Sequence, residues 1–160
     1  MSTLRILVDA DACPVKDEVY KVALRRGVPV IVVSNGGIRI PDHPLIKREI
    51  VSDAFDAADD YIAGLADPSA IVVTGDILLA DRCLKSGAVV IAPNGKPFTT
   101  SSIGSAIATR AIMADIRGSG DPTAGGRQKP FSKEDRSRFL QTFDAAVVAA
   151  ARLKARGDPR

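Results

Sequence analysis

Short unbroken apolar runs recur along this chain and constrain its fold more than any other feature. LRILV at 4–8, VPVIVVSN at 28–35, AIVVTGD at 70–76 and AVVIAP at 88–93 read as buried strands. REIVS at 48–52 reads as a shorter one. Helical spacing fills the intervals. Pro14 fits a first helical turn, Val15, Val19, Val22 and Ala23 share a face, Arg25 and Arg26 favour the C-terminal end, and Gly27 stops it. Residues 38–47, with two prolines, read as an irregular loop. Asp53 is expected to cap the helix DAADDYIAGLA, which Asp67-Pro68 ends. ILLADRCLKSG is a further helix ended by Gly87, and SSIGSAIATRAIMADIR another with Ser101 or Ser102 as cap. A Gly-rich loop over 118–131 precedes a last helix, 132–154, which Ser132 and Asp135 begin as a capping box. Strands alternating with helices predict a mostly parallel sheet with helices on both faces. Ligands of such sheets bind at the carboxyl ends of the strands, where strand order reverses.

A length of 160 residues fits one domain. No apolar run reaches the roughly 20 residues of a membrane span. MSTLRILVDA lacks the apolar core of a signal peptide, so a cytoplasmic location is expected. Cys13 and Cys83 form no CxxC pattern and read as free thiols. His43 is the one histidine, which excludes a His-rich or Cys2His2 metal site. With no tryptophan and 4% aromatics, a large base-stacking platform is excluded too. The net charge of +3 is uneven. Residues 1–117 hold 13 Lys/Arg against 14 Asp/Glu, and residues 118–160 hold 9 against 5. A near-neutral body thus carries a basic tail, which serves either solubility or phosphate contact.

The sheet edge collects carboxylates. Asp9 and Asp11 follow the first run, Asp76 follows AIVVTG, and Asp81 lies on the next helix. Asp56, Asp59 and Asp60 stand at the start of the preceding helix, where capping and the helix dipole alone favour acids. Those reasons explain Asp9 and Asp76 less well, since neither begins an obvious helix. Carboxylates that repel one another are tolerated when they share a proton or a cation. An oxygen-rich cluster without His or Cys suits Mg²⁺ or Mn²⁺, which can activate water against a phosphodiester. Cys13, at a helix start, has the placement of an activated thiol. But Asp9, Asp11, Asp17 and Glu18 surround it in sequence, so it reads as a small packing residue.

VDADACPVKDE, DAADDYI, VVTGDILLADRCLKSGA, NGKPFT and KPFSKEDRSRF, in this order, resemble the YaiI/YqxD family of uncharacterised bacterial proteins. That family is grouped with PIN-like domains, whose relatives include metal-dependent ribonucleases. The resemblance implies a three-layer α/β fold with a helical C-terminal extension outside the minimal PIN core. It matches Asp9 to the PIN acid after the first strand and Thr74-Gly75-Asp76 to the later Thr-x-Asp. Asp59 or Asp60 is the candidate helical acid and Asp81 a fourth. Asp11 departs from the pattern, standing where PIN domains commonly carry Ser or Asn. The expectation is hydrolysis of RNA or single-stranded DNA by one or two Mg²⁺ or Mn²⁺ ions on Asp9, Asp11, Asp59 or Asp60, and Asp76, with Asp81 in support. Asn35, Thr74 and Thr99, each after a strand, are candidate phosphate or supporting contacts.

Two other readings stand beside it. Asp9-Ala10-Asp11 also resembles the DxD of haloacid-dehalogenase-type phosphatases. Asp9 would then be the nucleophile, Asp11 the general acid, Ser34 the phosphoryl contact, and Asp76 and Asp81 the Mg²⁺ ligands. Against this, Pro14 starts a helix where that fold needs a flap, and its phosphate-binding lysine has no clear counterpart beyond Lys47. In a non-catalytic RNA-binding module, Arg127, Lys129, Lys133, Arg136 and Arg138 would form the contact patch. Arg110 is placed to pair with the acidic cluster.

Overall fold

The computed structural model describes residues 3–54, 56–118 and 131–155. Six strands form one sheet: β1 (Arg5–Asp9), β2 (Val30–Ser34), β3 (Ile46–Ile50), β4 (Ala70–Val73), β5 (Val89–Ile91) and β6 (Pro97–Phe98). Their order is β3-β2-β1-β4-β5-β6, all parallel except β6, which runs antiparallel to β5. Five helices cover it: α1 (Lys16–Arg26), α2 (Ala57–Leu65), α3 (Ile77–Lys85), α4 (Thr100–Gly118) and α5 (Lys133–Ala155).

The apolar runs are unbroken because the sheet is buried on both faces. Ile6, Val8, Val30, Val32, Ile71 and Val73 pack on one side with Val19 and Val22 of α1 and with α5. Leu7, Val33, Val72 and Val90 pack on the other with Ile62 of α2, Leu79 and Cys83 of α3, and Ile103 of α4. This is the expected three-layer α/β arrangement. β1 lies between β2 and β4, and the chain moves outward from β1 first through β2 and β3, then through β4 and β5. The strand order therefore reverses between β1 and β4, at whose carboxyl ends Asp9 and Asp76 stand.

The C-terminal helix is present as expected, and it is part of the core cover. Phe139, Phe143, Val147 and Ala150 form a helical stripe with no exposed surface. The two rings stack with centroids 5.1 Å apart. Midway along the helix Asp144 accepts from Arg26 Nε at 3.0 Å and from Arg26 Nη2 at 2.9 Å. Near its start, Arg136 donates to buried Glu18 at 2.6 Å and to the Pro14 carbonyl at 2.9 Å. Gly95, in the turn between β5 and β6, lets the sheet meet this helix. Its φ is +87°, and a Cβ there would lie 2.6 Å from the Arg138 carbonyl carbon and the Phe139 nitrogen. Gly95→Ala combines a left-handed backbone with a backbone clash and is expected to cost at least about 2 kcal/mol, measured by urea denaturation.

Several boundaries differ from the sequence expectation. A 3-10 turn, Ala10–Ala12, follows β1 directly, and α1 starts at Lys16, so Pro14 precedes it. Lys16 Nζ donates to the Cys13 carbonyl at 2.9 Å, serving the turn's open end. β3 begins two residues earlier than predicted, and the two-residue β6 was not predicted. Asp53 does not cap α2. Asp56 occupies that place, with φ 66° and no capping side-chain bond. Thr99, rather than Ser101 or Ser102, precedes α4, and its hydroxyl accepts from Ser102 N at 3.1 Å. The Ser132–Asp135 capping box forms as predicted, with both reciprocal bonds at 3.1 Å.

Candidate functional site

A cavity of about 840 Å³ opens at the carboxyl ends of β1 and β4. Five aspartates line it, Asp9, Asp11, Asp56, Asp59 and Asp76, with Asn35, Leu78 and one cation, Arg82. They arrive from four places in the chain: the end of β1 and its following turn, the end of β2, the start of α2, and the β4–α3 junction with the helix beyond.

Local structure fixes each acid. Thr74 Oγ1 donates to Asp9 Oδ2 at 2.9 Å and accepts from Asp76 N at 3.0 Å, so one hydroxyl ties the end of β4 to both acids. Asp76 is the N-cap of α3: its Oδ1 accepts from Leu78 N at 2.9 Å and Leu79 N at 3.1 Å. The sequence reading saw no helix start at Asp76, so part of its placement is ordinary capping. Asp11 is held by both oxygens, from Ser34 Oγ at 2.9 Å and from Asn35 N at 3.3 Å. Asp56 carries the positive φ on the cavity wall, a conformation aspartate tolerates better than most residues.

The acids raise one another's proton affinity. Burial, then the charges of Asp11 and Asp76, lift Asp9 above the usual carboxylate range against the Thr74 bond. Burial, then Asp76, Asp9 and Asp56, lift Asp59 to about 6 despite Arg82. A carboxyl raised on folding keeps its proton longer in the folded state. Folding is therefore progressively disfavoured as pH rises from 3.8 through about 6, and the loss is complete above that. Asp59→Asn is expected to melt at a higher temperature than the wild type at pH 7 and at the same temperature below 3.8. Thermal melts across this range check it, and a lower melting temperature at pH 7 would refute it. Cys13 and Cys83, both buried, are pushed up to about 11 chiefly by burial, which agrees with packing roles.

All donors in the cavity are oxygens apart from Asn35 and Arg82, so it suits a hard cation. Among the described residues, no three acidic, His or Cys side chains converge as a ready-made metal cage. Mg²⁺ commonly uses one or two carboxylates and completes its shell with water and substrate phosphate. Asp9 Oδ1 and Asp76 Oδ2, the oxygens not engaged in the bonds above, fit that habit.

A model of a bacterial protein family described as uncharacterised, YaiI/YqxD, matches residues 7–149. The chain belongs to the YaiI/YqxD family. Curated relatives called UPF0178 protein extend the match to almost the full length. That of Sphingopyxis alaskensis is 65% identical over 152 residues, 95% of this chain and 98% of its own. That of Nitrobacter winogradskyi is 56% identical over 147 residues, 92% of each chain. Among solved structures, a mutant of Rv3272 from Mycobacterium tuberculosis superposes with a TM-score of 0.50 at 16% identity. The superposition covers 98% of this chain, which spans about half (51%) of that one, and it speaks to fold alone.

In this YaiI/YqxD protein the predicted site residues divide. Asp9, Asp11, Asn35, Asp59 and Asp76 line the cavity, and Thr74 stands behind it. Asp60 does not line it; exposed, it pairs with Arg82 at 2.9 Å. Asp81 points elsewhere and pairs with Lys85, one turn on, at 2.9 Å. Thr99 caps α4. Arg136 is engaged by Glu18 and lies over the Phe131 ring, and Arg138 donates to Asp135 and to the Asn94 carbonyl. The predicted basic patch is thus largely structural where it is described. Arg127, Lys129 and the side chain of Arg110 lie outside the described residues. Arg82 was not anticipated in the cavity, and Asp56, named with the other acids at the start of α2, was not put forward as a site residue. Arg82 follows Leu78 and Leu79 by one helical turn, and placing Asp76 as the cap of α3 would have put it on the same face. Ser34, the phosphoryl contact of the phosphatase reading, lies 2.9 Å from Asp11 and 2.8 Å from the Gly36 carbonyl, so its one proton already has partners.

Among the described residues no helix is long and apolar enough to cross a membrane.

Proposed function

We propose that this protein hydrolyses phosphodiesters of RNA or single-stranded DNA with Mg²⁺ or Mn²⁺ at the β1–β4 cavity. The observation that carries the reading is that Asp9, Asp59 and Asp76 line one cavity at the strand-order reversal, with Asp9 and Asp59 both raised first by burial and then by neighbouring carboxylates. Five carboxylates around one cavity with a single arginine are costly to hold together, and perturbed acids in a cleft mark a candidate functional site.

Asp9 and Asp76 would hold the cation, with Asp11 behind them fixing the end of β2. A bound divalent ion supplies Lewis-acid polarisation and neutralises phosphate charge. The chain's own groups do the rest. Thr74 orients the Asp9 carboxylate, and the α3 amides hold Asp76 in place. Asp59, at about 6, is the proton acceptor for the attacking water near neutral pH. Arg82, which lines the same cavity while paired with exposed Asp60, would offer a guanidinium to a phosphate oxygen.

End-labelled RNA and single-stranded DNA, incubated with the protein in Mn²⁺, Mg²⁺ and EDTA beside Asp76→Asn, test this. Cleavage by the wild type alone, and with metal alone, is expected. Asn remains a good N-cap, so the variant keeps α3. Equal cleavage by Asp76→Asn, cleavage in EDTA, or none with either metal would overturn the reading.

A further inference from the structure

An acidic cavity repels the polyanion it is proposed to cut, so the affinity for a strand must come from elsewhere. A second cavity, of about 560 Å³, lies between the 39–43 loop and the start of β3. Arg39, Lys47, Arg48 and His43 line it, against the single acid Asp42. The side chains of Arg39 and Lys47 are exposed and in no ion pair or hydrogen bond among the described residues, whereas Arg5, Arg26, Arg82, Arg136 and Arg138 are all paired.

The groove is built rather than incidental. Ile38 and Ile40 anchor its loop on the core, and Arg48 Nη1 clamps the loop to β3 through the Ile38 carbonyl at 2.8 Å. Pro41 and Pro44 limit the backbone between them. His43 Nδ1 accepts from Leu45 N at 3.1 Å, which leaves the proton of the neutral ring on Nε2 as a donor. Charged residues on an edge strand also discourage edge-to-edge pairing, which accounts for Lys47 and Arg48. It does not account for Arg39, which stands in the loop. Arg39 follows Asn35, a wall residue of the acidic cavity, by four positions, a backbone span of at most about 14 Å. That span puts Arg39 within the reach of a few nucleotides from the wall of the acidic cavity.

We infer that this basic groove grips the phosphate backbone of the single-stranded nucleic acid whose phosphodiester enters the acidic cavity, an inference that rests on the hydrolytic reading. Binding and chemistry are then divided between two neighbouring surfaces of opposite charge. The groove supplies affinity without sequence preference, and the acids act on one linkage.

Fluorescence anisotropy with a labelled single-stranded RNA oligonucleotide of mixed sequence, in EDTA and over a salt series, tests the groove apart from cleavage. The double variant Arg39→Gln/Lys47→Gln spares Arg48, which holds the loop. Lys21→Gln/Lys96→Gln, on α1 and in the β5–β6 turn, makes the same charge change outside the groove. The groove variant is expected to bind at least 10-fold more weakly than the wild type, with the salt slope reduced by about 1.4 for two lost single-strand phosphate contacts. The control is expected to stay within about 2-fold of the wild type, as the loss of general attraction alone predicts. Equal effects in both pairs, or no binding by the wild type, would overturn the inference. The two proposals fail separately. Groove-dependent binding without cleavage by the wild type would sink the hydrolytic reading and leave the groove. Cleavage with KM unchanged in the groove variant would sink the groove and leave the acidic site.

Discussion

Asp9→Asn is expected to slow the proposed metal-dependent phosphodiester hydrolysis by about 100- to 1,000-fold, as loss of several kcal/mol of transition-state charge stabilisation predicts. The same change is expected to leave melting at pH 7 unchanged or raised. Asparagine keeps an oxygen for the Thr74 hydroxyl and removes a charge that burial, Asp11 and Asp76 disfavour. Activity lost while stability holds or rises distinguishes a working carboxylate from a structural one. Asp11→Asn gives the contrast. Both Asp11 oxygens are engaged by Ser34 and Asn35, so it acts by holding the wall, and its loss is expected to be roughly 10-fold, as for residues that support metal ligands. Single-turnover rates at saturating Mn²⁺ measure both. Equal losses at the two positions would contradict the division of roles.

Phe139→Ala is expected to destabilise the protein by about 3–5 kcal/mol, the range for emptying a fully buried aromatic site. Phe139 has no exposed surface, stacks on Phe143, and lies beside the close approach of Gly95 to the helix backbone. The deletion therefore loosens both the α1–α5 layer and its seat on the β5–β6 turn. Denaturant titration measures it, and a loss below about 1 kcal/mol would mean that α5 is dispensable cover. Arg136→Gln should also lower stability, because it leaves Glu18 buried beside fewer donors. Its effect on RNA affinity should be small. This departs from the phosphate-contact reading of the basic tail.

The strands, the layer arrangement and the acids at the sheet's carboxyl edge were legible because burial on both faces writes continuous apolar runs and crossovers write helical ones. The exact set of acids was less legible. Asp59 and Asp60 are adjacent and identical in type, and only the angle of α2 decides that Asp59 meets the cavity while Asp60 meets Arg82. Asp81 had the right spacing for a ligand but is paired with Lys85 one turn along its own helix. Thr99 and Arg136 stood where phosphate contacts are often found, yet each satisfies a nearby partner within the fold. The groove at Arg39 and Lys47 was illegible because its shape depends on how an irregular, proline-bearing loop lies along an edge strand. No periodicity records that.

Placing α5 in the sheet's cover has a consequence for the order of synthesis. Every acid of the cavity is encoded by the first 76 residues, and α2, α3 and α4, which cover that side of the sheet, are complete by Gly118. The opposite face waits for a helix that starts at Lys133, and the Arg26–Asp144 pair closes over 118 residues of chain. Contacts of such separation form late and slowly. With α1 alone on that face, a nascent chain is therefore expected to leave the ribosome with the part of this apolar surface that α5 covers still open, and to depend on its last helix to stay out of aggregates. Truncation ahead of Phe139 should yield a protein that carries the acids of the cleft on a body unable to keep itself in solution.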